Sequence, residues 1–333
     1  MLLRYLGKRL IYMVAVFILI SIIIFGIFQL VPGCPVLRHM NVEDQRLPPG
    51  AFEAIYNQIR QRFGLDRPIH IQYLRWMQNI LQGDFGQSIS HNMPVSAVLD
   101  GPLQVTLQMN LMVMAIAFIV SVPLGITTAV KKSSLYDNTA QVVTLLGLSL
   151  PQFIIAIAAV MIFSVWLGLT PVSGFGNPLF LIENPDASAW AIFLDRLPFF
   201  ILPIGVLSFA SLAGLTRFVR VAMIDALSQD YIRTARSKGL GEGAVIWSHA
   251  FRNSLIPFVT SLVAWLIGLL SGFIIVETIF GIGGMGRLFF NALMSFDFNL
   301  ALVIQMIFIV ILLIGYLLVD FAYVLVDPRV RLT

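Results

Sequence analysis

Long apolar runs separated by short polar segments set the pattern along this chain. A membrane-spanning helix needs about 20 predominantly apolar residues, and six runs reach that length. They predict spans at roughly 10–31, 105–130, 139–167, 198–219, 255–280 and 301–326. We therefore expect an all-α polytopic membrane protein with six transmembrane helices and with both termini on the same side.

Composition agrees with that pattern. Hydrophobic residues make up 58% of the 333 residues and charged residues only 11%, whereas a soluble domain is about a quarter charged. The single cysteine, Cys34, excludes an internal disulfide and a multi-cysteine metal site. The formal charge of +4 is spread among short loops, which favours the Lys/Arg excess of cytoplasmic loops over a nucleic-acid-binding face.

The distribution of Lys and Arg predicts the orientation. With the N-terminus inside, the inner segments hold 13 of the 21 basic residues and the outer segments hold 8, so both termini are expected in the cytoplasm. An uncleaved first span is favoured over a signal sequence, because its apolar run is too long and Pro32 stands where a small residue is needed. The expected organisation is a tail with the first span (1–31), an outer helical segment (32–104), a five-span core (105–326) with a cytoplasmic loop at about 220–254, and a cytoplasmic tail (327–333).

No catalytic motif is present in the sequence. It contains no HExxH, no GxSxG and no GxxxxGK[ST], and none of its four histidines has a second histidine four residues away. Asp320 is the one acid clearly inside a predicted span; it is either an ion site or the partner of a basic residue near the inner face. This scarcity predicts a transport protein whose energy comes from a partner. An ion-coupled carrier or a membrane enzyme remains the alternative.

The polar, basic stretch at 229–257 interrupts the apolar pattern. Tyr231, Ile232 and Ala235 give a short helix an apolar edge, and Gly239 and Gly241 permit a sharp turn before a second helical run. Two short helices at a turn predict a compact cytoplasmic knob that docks on a partner. The alternative is a basic loop lying on anionic lipid.

These residues also carry a resemblance. "DYIRTARSKGL" followed by "HAFRNSLIP" resembles the cytoplasmic EAA loop of ABC-importer permeases, in the first-subunit variant of the dipeptide/oligopeptide/nickel permease family. "FGLDRPIHIQYLRWMQNILQGDFGQSI", "ETIFGIGGMGRL" and "VDPRVR" follow the family in the same order. Three positions depart from the usual patterns: Arg233 begins the stretch where the general motif has Glu-Ala-Ala, Cys34 replaces the usual Asp, and Gly283 stands where Pro is common.

The resemblance implies a type I ABC importer permease fold and no cofactor in this chain, with ATP and Mg bound by partner subunits. The implied partners are a second homologous permease subunit, two ABC ATPase subunits and an extracytoplasmic solute-binding protein, in a prokaryotic cytoplasmic (inner) membrane. The implied cargo is a di- or oligopeptide, with oligosaccharides or nickel as alternatives. The residues implied for ATPase coupling are Tyr231, Arg233, Thr234, Ala235, Arg236, Gly239 and Leu240.

Two further sets of residues are expected to matter for transport. The outer segment of the resembled family faces the binding protein, which nominates Tyr73, Trp76, Asp84 and Phe85. Polar positions within spans are candidates for the translocation path or for interhelical hydrogen bonds: Gln108, Asn110, Ser149, Gln152, Ser208, Ser211, Ser261, Ser271 and Gln305. Helix kinks are expected at Pro123, Pro151 and Pro203, and close helix packing at Gly268 and Gly272.

Overall fold

The computed structural model describes residues 2–30, 48–62, 66–254 and 272–326. Its helices are α1 (Leu2–Leu30), α2 (Pro49–Arg62), α3 (Ile69–Leu81), α4 (Val95–Val130), α5 (Leu135–Ser149), α6 (Gln152–Ala159), α7 (Phe180–Glu183), α8 (Ala189–Leu227), α9 (Asp230–Ser237), α10 (Glu242–Ala244), α11 (Ile274–Ile279), α12 (Met285–Met294) and α13 (Phe298–Val326). π-Helical segments continue α6 over Val160–Trp166 and α10 over Val245–Phe251. Between α3 and α4, β1 (Gln87–Ser88) pairs antiparallel with β2 (Met93–Pro94).

Four helices in the described part of the chain are long and apolar enough to cross a membrane: Gly7–Leu30, Val95–Val130, Ala189–Leu227 and Phe298–Phe321. They correspond to the first, second, fourth and sixth predicted spans. A bent pair, α5 with α6 and its π-helical continuation, makes a fifth if it is counted as one span. The predicted all-α, multi-span architecture is therefore confirmed. Most of the predicted span at 255–280 lies outside the described residues.

The third predicted span, 139–167, was wrong as a single helix. The chain bends by 104° between α5 and α6, with Leu150 extended at φ −81°, ψ 129° and Pro151 at φ −56°, ψ 134°. A proline has no N–H to donate and its ring disfavours helical backbone at the preceding residue. Pro151 therefore ends one helix and starts another, which is a sharper effect than the predicted kink.

The outer end of the predicted span at 255–280 also differs from expectation. Gly272 and Phe273 are not helical, and Phe273 has φ −103°, ψ 78°. Helix α11 begins only at Ile274 and is six residues long. A continuous helix to residue 280 is therefore wrong, because Gly272 and Phe273 break it and a compact loop follows α11.

The second and fourth spans are longer than predicted. Helix α4 begins at Val95, and α8 runs for 39 residues with Pro198 and Pro203 inside it. At 1.5 Å per residue, α8 is about 58 Å long, well beyond the roughly 30 Å of a hydrocarbon core. A helix of this length cannot lie wholly within the apolar layer.

The chain divides into two compact units. The first comprises Met1–Pro102 with Leu288–Leu313, and the second Leu103–Arg287 with Ile314–Thr333. In the first unit, Tyr73 of α3 packs on α1: its hydroxyl lies 2.8 Å from Ser21 Oγ, and its ring meets Phe25 edge-on at 5.6 Å. The predicted outer helices are thus present as α2 and α3, and α3 is anchored to α1.

Two apolar clusters form the core of the second unit, with α8 contributing to both. One cluster contains Val105, Met109, Val113, Ala156, Phe200, Leu202, Ile204, Val206, Leu207, Val276, Phe280 and Ile282. The other contains Ala117, Ile126, Ala129, Leu215, Val219, Met223, Ala226, Ile232, Ala235, Val245 and Ala250. The second cluster includes residues of the predicted knob, so the knob is built into the helix core.

Candidate coupling loop and transport residues

The polar stretch after α8 folds as two short helical pieces joined by a turn, as predicted. Helix α9 buries Ile232 and Ala235 in the same apolar cluster as Met223 of α8 and Val245 of the π-helical segment. Tyr231, by contrast, is 38% exposed. We call residues 229–254 the knob. Its apolar side holds it to α8, and its other side is exposed.

The turn within the knob is a Schellman cap on α9. The Gly239 N–H donates to Arg236 O at 2.9 Å, and the Leu240 N–H donates to Ala235 O at 3.4 Å, which is the pair of bonds that defines this cap. Gly239 has φ +78°, a left-handed conformation that favours glycine. A Cβ at Gly239 would meet nothing within 4 Å. Backbone conformation, not crowding, therefore requires this glycine.

An ion pair bridges the turn. Arg236 Nε lies 2.8 Å from Glu242 Oε1, and its second nitrogen lies 3.3 Å from Oε2. Both side chains are about half exposed, so the pair is accessible and its net stabilisation is small in the free chain. Its geometric effect is to tie the end of α9 to the start of α10.

The predicted coupling residues divide by exposure. Ala235 is only 5% exposed and packs inside this chain, where it helps to hold α9 on α8; its contact with an ATPase subunit stays a prediction. The exposed ones are Tyr231, Arg233, Thr234, Arg236, Gly239 and Leu240.

A second ion pair lies beside the knob, where Arg220 of α8 meets Asp137 of α5. The contact is bidentate at 2.7 and 2.8 Å, and the Asp137 side chain is 1% exposed. Asp137 Oδ2 also accepts from the Ser133 N–H at 2.9 Å, and Ser134 Oγ caps the helix by accepting from the Asp137 N–H. This contact fixes α5 to the end of α8 from which the knob begins. Sequence reasoning missed the pair, although Ser-x-x-Asp before an apolar run is a helix-start signal.

The predicted path residues are spread over several helices, and two of them are buried. Asn110 is 4% exposed and Ser208 is 2% exposed, and Ser208 Oγ has no hydrogen-bond partner among the described residues. Gln152, Ser211 and Gln305 are half-buried, whereas Gln108 and Ser149 are exposed. Ser261 and Ser271 lie outside the described residues, as does Gly268.

The residues predicted to meet a binding protein are held by their own unit. Tyr73 and Trp76 face α1, with Trp76 5.4 Å from the Phe25 ring. Asp84 Oδ1 accepts from the Gly86 N–H at 2.9 Å, while the Phe85 carbonyl accepts from Asn299 Nδ2 at 2.9 Å. Of the four, Asp84 is exposed, whereas Tyr73, Trp76 and Phe85 are half-buried.

A buried carboxylate missed by sequence reasoning holds the β1–β2 hairpin. Asp297, fully buried, accepts from Ser88 Oγ at 2.5 Å, from Ser90 Oγ at 2.8 Å and from the Ser90 N–H at 3.1 Å. Its other oxygen accepts from the Leu300 N–H at 3.2 Å at the start of α13. Asn299 donates to the Phe85 and Gln87 carbonyls. We call Asp297 with Asn299 the clasp; a Ser/Asp pairing so far apart in sequence gives no local signal.

Among the described residues, no group of three His, Cys, Asp or Glu side chains is arranged to hold a metal ion. Asp320 is half-buried in α13.

Comparison with known proteins places this geometry in a family. Residues 121–332 match the model for the inner membrane component of binding-protein-dependent transport systems, and residues 2–98 match the model for the N-terminal part of that membrane component. The chain is 34% identical over 328 residues to the oligopeptide transport system permease protein AppB of Bacillus subtilis (strain 168), covering 98% of this chain and 99% of that protein.

Two dipeptide transport system permease proteins named DppB are similar to the same extent. That of Escherichia coli (strain K12) is 34% identical over 341 residues, and that of Lactococcus lactis subsp. cremoris (strain MG1363) is 33% identical over 330 residues; both alignments cover 99% of each chain. The resemblance found in the sequence motifs therefore extends over the whole length.

Proposed function

The chain belongs to the family of inner membrane components of binding-protein-dependent transport systems, and from that premise we propose that it is the peptide permease subunit of an ATP-driven importer. The observation that supports peptides as the cargo is the near-complete alignment with oligopeptide and dipeptide permease proteins. Described helices with few charges in their apolar stretches agree with a path for peptides of varied charge, because a fixed buried charge would disfavour peptides of the same sign.

The proposed assembly pairs this chain with a second, homologous permease, two ABC ATPase subunits and an extracytoplasmic binding protein. The chain itself hydrolyses nothing; ATP and Mg are bound by the ATPase subunits. Both termini are proposed to be cytoplasmic, which the Lys/Arg distribution supports. Residues 1–31 then form the tail and first span, 32–104 the extracytoplasmic segment, 105–326 the permease core and 327–333 the cytoplasmic tail.

Coupling is proposed to run through the knob. The six exposed residues of the predicted coupling set would sit in a groove of the ATPase subunit, with Arg233 facing acidic or carbonyl groups. Because Ile232 and Ala235 are buried in the same cluster as Met223, a displacement of the knob displaces α8. The Asp137–Arg220 pair then passes that motion to α5. Closure of two ATPase subunits would in this way switch the spans between inward- and outward-facing arrangements.

The proposed path residues are polar groups of the spans, and the proposed docking residues lie in the outer segment. Polar groups of the spans, including Asn110 and Ser208, would line or border the path, and Asp84 and Phe85 would meet the binding protein. Direct uptake measurement tests the cargo: the assembly in lipid vesicles, with ATP inside and binding protein outside, should accumulate a labelled dipeptide. Accumulation of a labelled oligosaccharide or nickel complex in place of peptides would keep the importer assignment and contradict the assignment of peptides as cargo.

A further inference from the structure

Residues 272–287, which we call the Glu277 loop, close on themselves around one carboxylate. Glu277 is fully buried. Its Oε1 accepts from the Phe273 N–H at 3.0 Å, and its Oε2 accepts from the Arg287 N–H at 2.7 Å. The Glu277 backbone takes part as well, since its carbonyl accepts from the Ile282 N–H at 2.8 Å. One side chain therefore joins the two ends of the loop.

Glycines leave the room that this carboxylate needs. A Cβ at Gly284 would lie 2.5 Å from Glu277 Cδ, and a Cβ at Gly272 would lie 2.8 Å from Oε1 and 2.1 Å from Gly286 N. Gly286 is similarly crowded, with Glu277 Oε2 3.1 Å from its Cβ position. Gly283, between them, would place a Cβ in open space. Glycine is therefore required at positions 272, 284 and 286 because a side chain there would collide with the Glu277 carboxylate or the adjacent backbone, not because the loop needs to be flexible.

The loop presents its apolar side to the core of its unit. Val276, Phe280, Ile282 and Met285 are each at most 2% exposed, and the first three belong to the cluster that includes Phe200 of α8. Two backbone contacts fasten the loop to neighbouring segments. The Met285 N–H donates to Thr106 Oγ1, and the Gly174 N–H donates to the Phe280 carbonyl, both at 2.8 Å.

We propose that Glu277 is a positioning residue that locks the Glu277 loop into one rigid seal over the outer end of the second unit's core. The assignment to the outer end rests on the proposed function and its orientation. A buried carboxylate deprived of its N–H donors is strongly disfavoured, so the two ends of the loop hold or release together. The seal is closed in the resting importer and opens as a body when the path faces outward.

Thiol labelling reads the state of this seal. In a Cys34→Ser background, which removes the chain's only cysteine, Ile282→Cys puts a thiol at a fully buried position. The parent carrying this thiol should be protected from a membrane-impermeant maleimide added outside. Adding Glu277→Gln or Gly284→Ala should speed labelling about tenfold, because labelling of a buried thiol follows the population of the open loop.

Gly283→Ala is the matched control and should leave labelling as in the parent, since its methyl meets nothing. Thr106→Val, which is nearly isosteric, removes one fastening contact and should give an intermediate rate even if the Glu277 variants fail to assemble. Rates are compared only for protein that co-purifies with the ATPase subunits, so loss of fold is not read as opening.

Protection of the thiol at position 282 in assembled Glu277→Gln, Gly284→Ala and Thr106→Val proteins, equal to the parent, would overturn the lock. Labelling from the cytoplasmic side alone would overturn the outer seal. These readouts need no transport substrate. Failure of peptide uptake therefore contradicts the proposed cargo and leaves the proposed lock unaffected. Unchanged labelling of the variants in an importer that takes up peptides contradicts the lock and leaves the cargo unaffected.

Discussion

At the scale of the residue, the Asp137–Arg220 pair makes the sharpest energetic prediction. Asp137→Asn leaves Arg220, whose side chain is 15% exposed, without its charge partner, and breaking a buried pair from one side costs on the order of 3 kcal/mol. We expect a clearly lower thermal unfolding temperature of the purified protein.

Replacing both partners by apolar residues of similar size, Asp137→Leu with Arg220→Met, should recover most of that loss, because no buried charge then remains unpaired. Asp186→Asn, at an exposed acid in another loop, serves as the control. An unfolding temperature for Asp137→Asn equal to that of the control would show that the pair contributes nothing to stability.

Gly239 makes the second prediction at this scale. Its φ of +78° disfavours a β-branched residue by about 1–2 kcal/mol, so Gly239→Val should distort the turn that ends α9. We expect membrane insertion to persist and peptide uptake to fall severalfold.

Gly243→Ala, in α10 with open space at its Cβ position and no positive φ, is the matched control and should transport normally. Undiminished uptake by Gly239→Val, measured at equal amounts of protein in the membrane, would count against a coupling role for the knob.

These residues also show how far sequence reasoning reaches. The turn at Gly239 was predictable because glycine after a helical pattern is a local signal. The Arg220 partner of Asp137 was not, because the two are 83 positions apart and only packing of α5 on α8 brings them together. The Glu277 loop was hidden for a different reason: its contacts are local, but its apolar residues continue the pattern of a spanning helix.

At the scale of the element, the clasp determines whether the β1–β2 hairpin is ordered. Two strands of two residues each are marginal by themselves, and Asp297 supplies three of the hydrogen bonds that hold Ser88 and Ser90. Asp297→Asn replaces one acceptor oxygen by a donor group. We expect amide hydrogen exchange over residues 86–92 to become at least about tenfold faster, because local opening sets exchange.

Exchange in α9 should stay unchanged in that variant and provides an internal reference. Hairpin exchange identical to the parent's would mean that the strands hold without the clasp.

Element boundaries were the part of the fold that hydropathy predicted least well. The apolar run at 139–167 is long enough to span, yet the chain turns by 104° within it. Pro151 was visible in the sequence as a kink, but a proline signals a break and not its angle.

At the scale of the whole molecule, this chain is proposed to be the membrane subunit that an ATPase partner drives. Nothing in its sequence supplies a phosphate-binding motif, and its exposed knob is built on the helix core through buried Ile232 and Ala235. Under the proposed function, transport energy enters through an ATPase partner seated on the knob, and the outer segment meets the loaded binding protein.

The most direct measurement is ATP hydrolysis by the purified assembly in lipid, with and without binding protein loaded with short peptides. The account predicts stimulation by the loaded binding protein, lost in Gly239→Val and kept in Gly243→Ala. If no ATPase subunit co-purifies with the chain, or if hydrolysis in Gly239→Val responds to the loaded binding protein as in the parent, the knob is not the point at which ATP drives this permease.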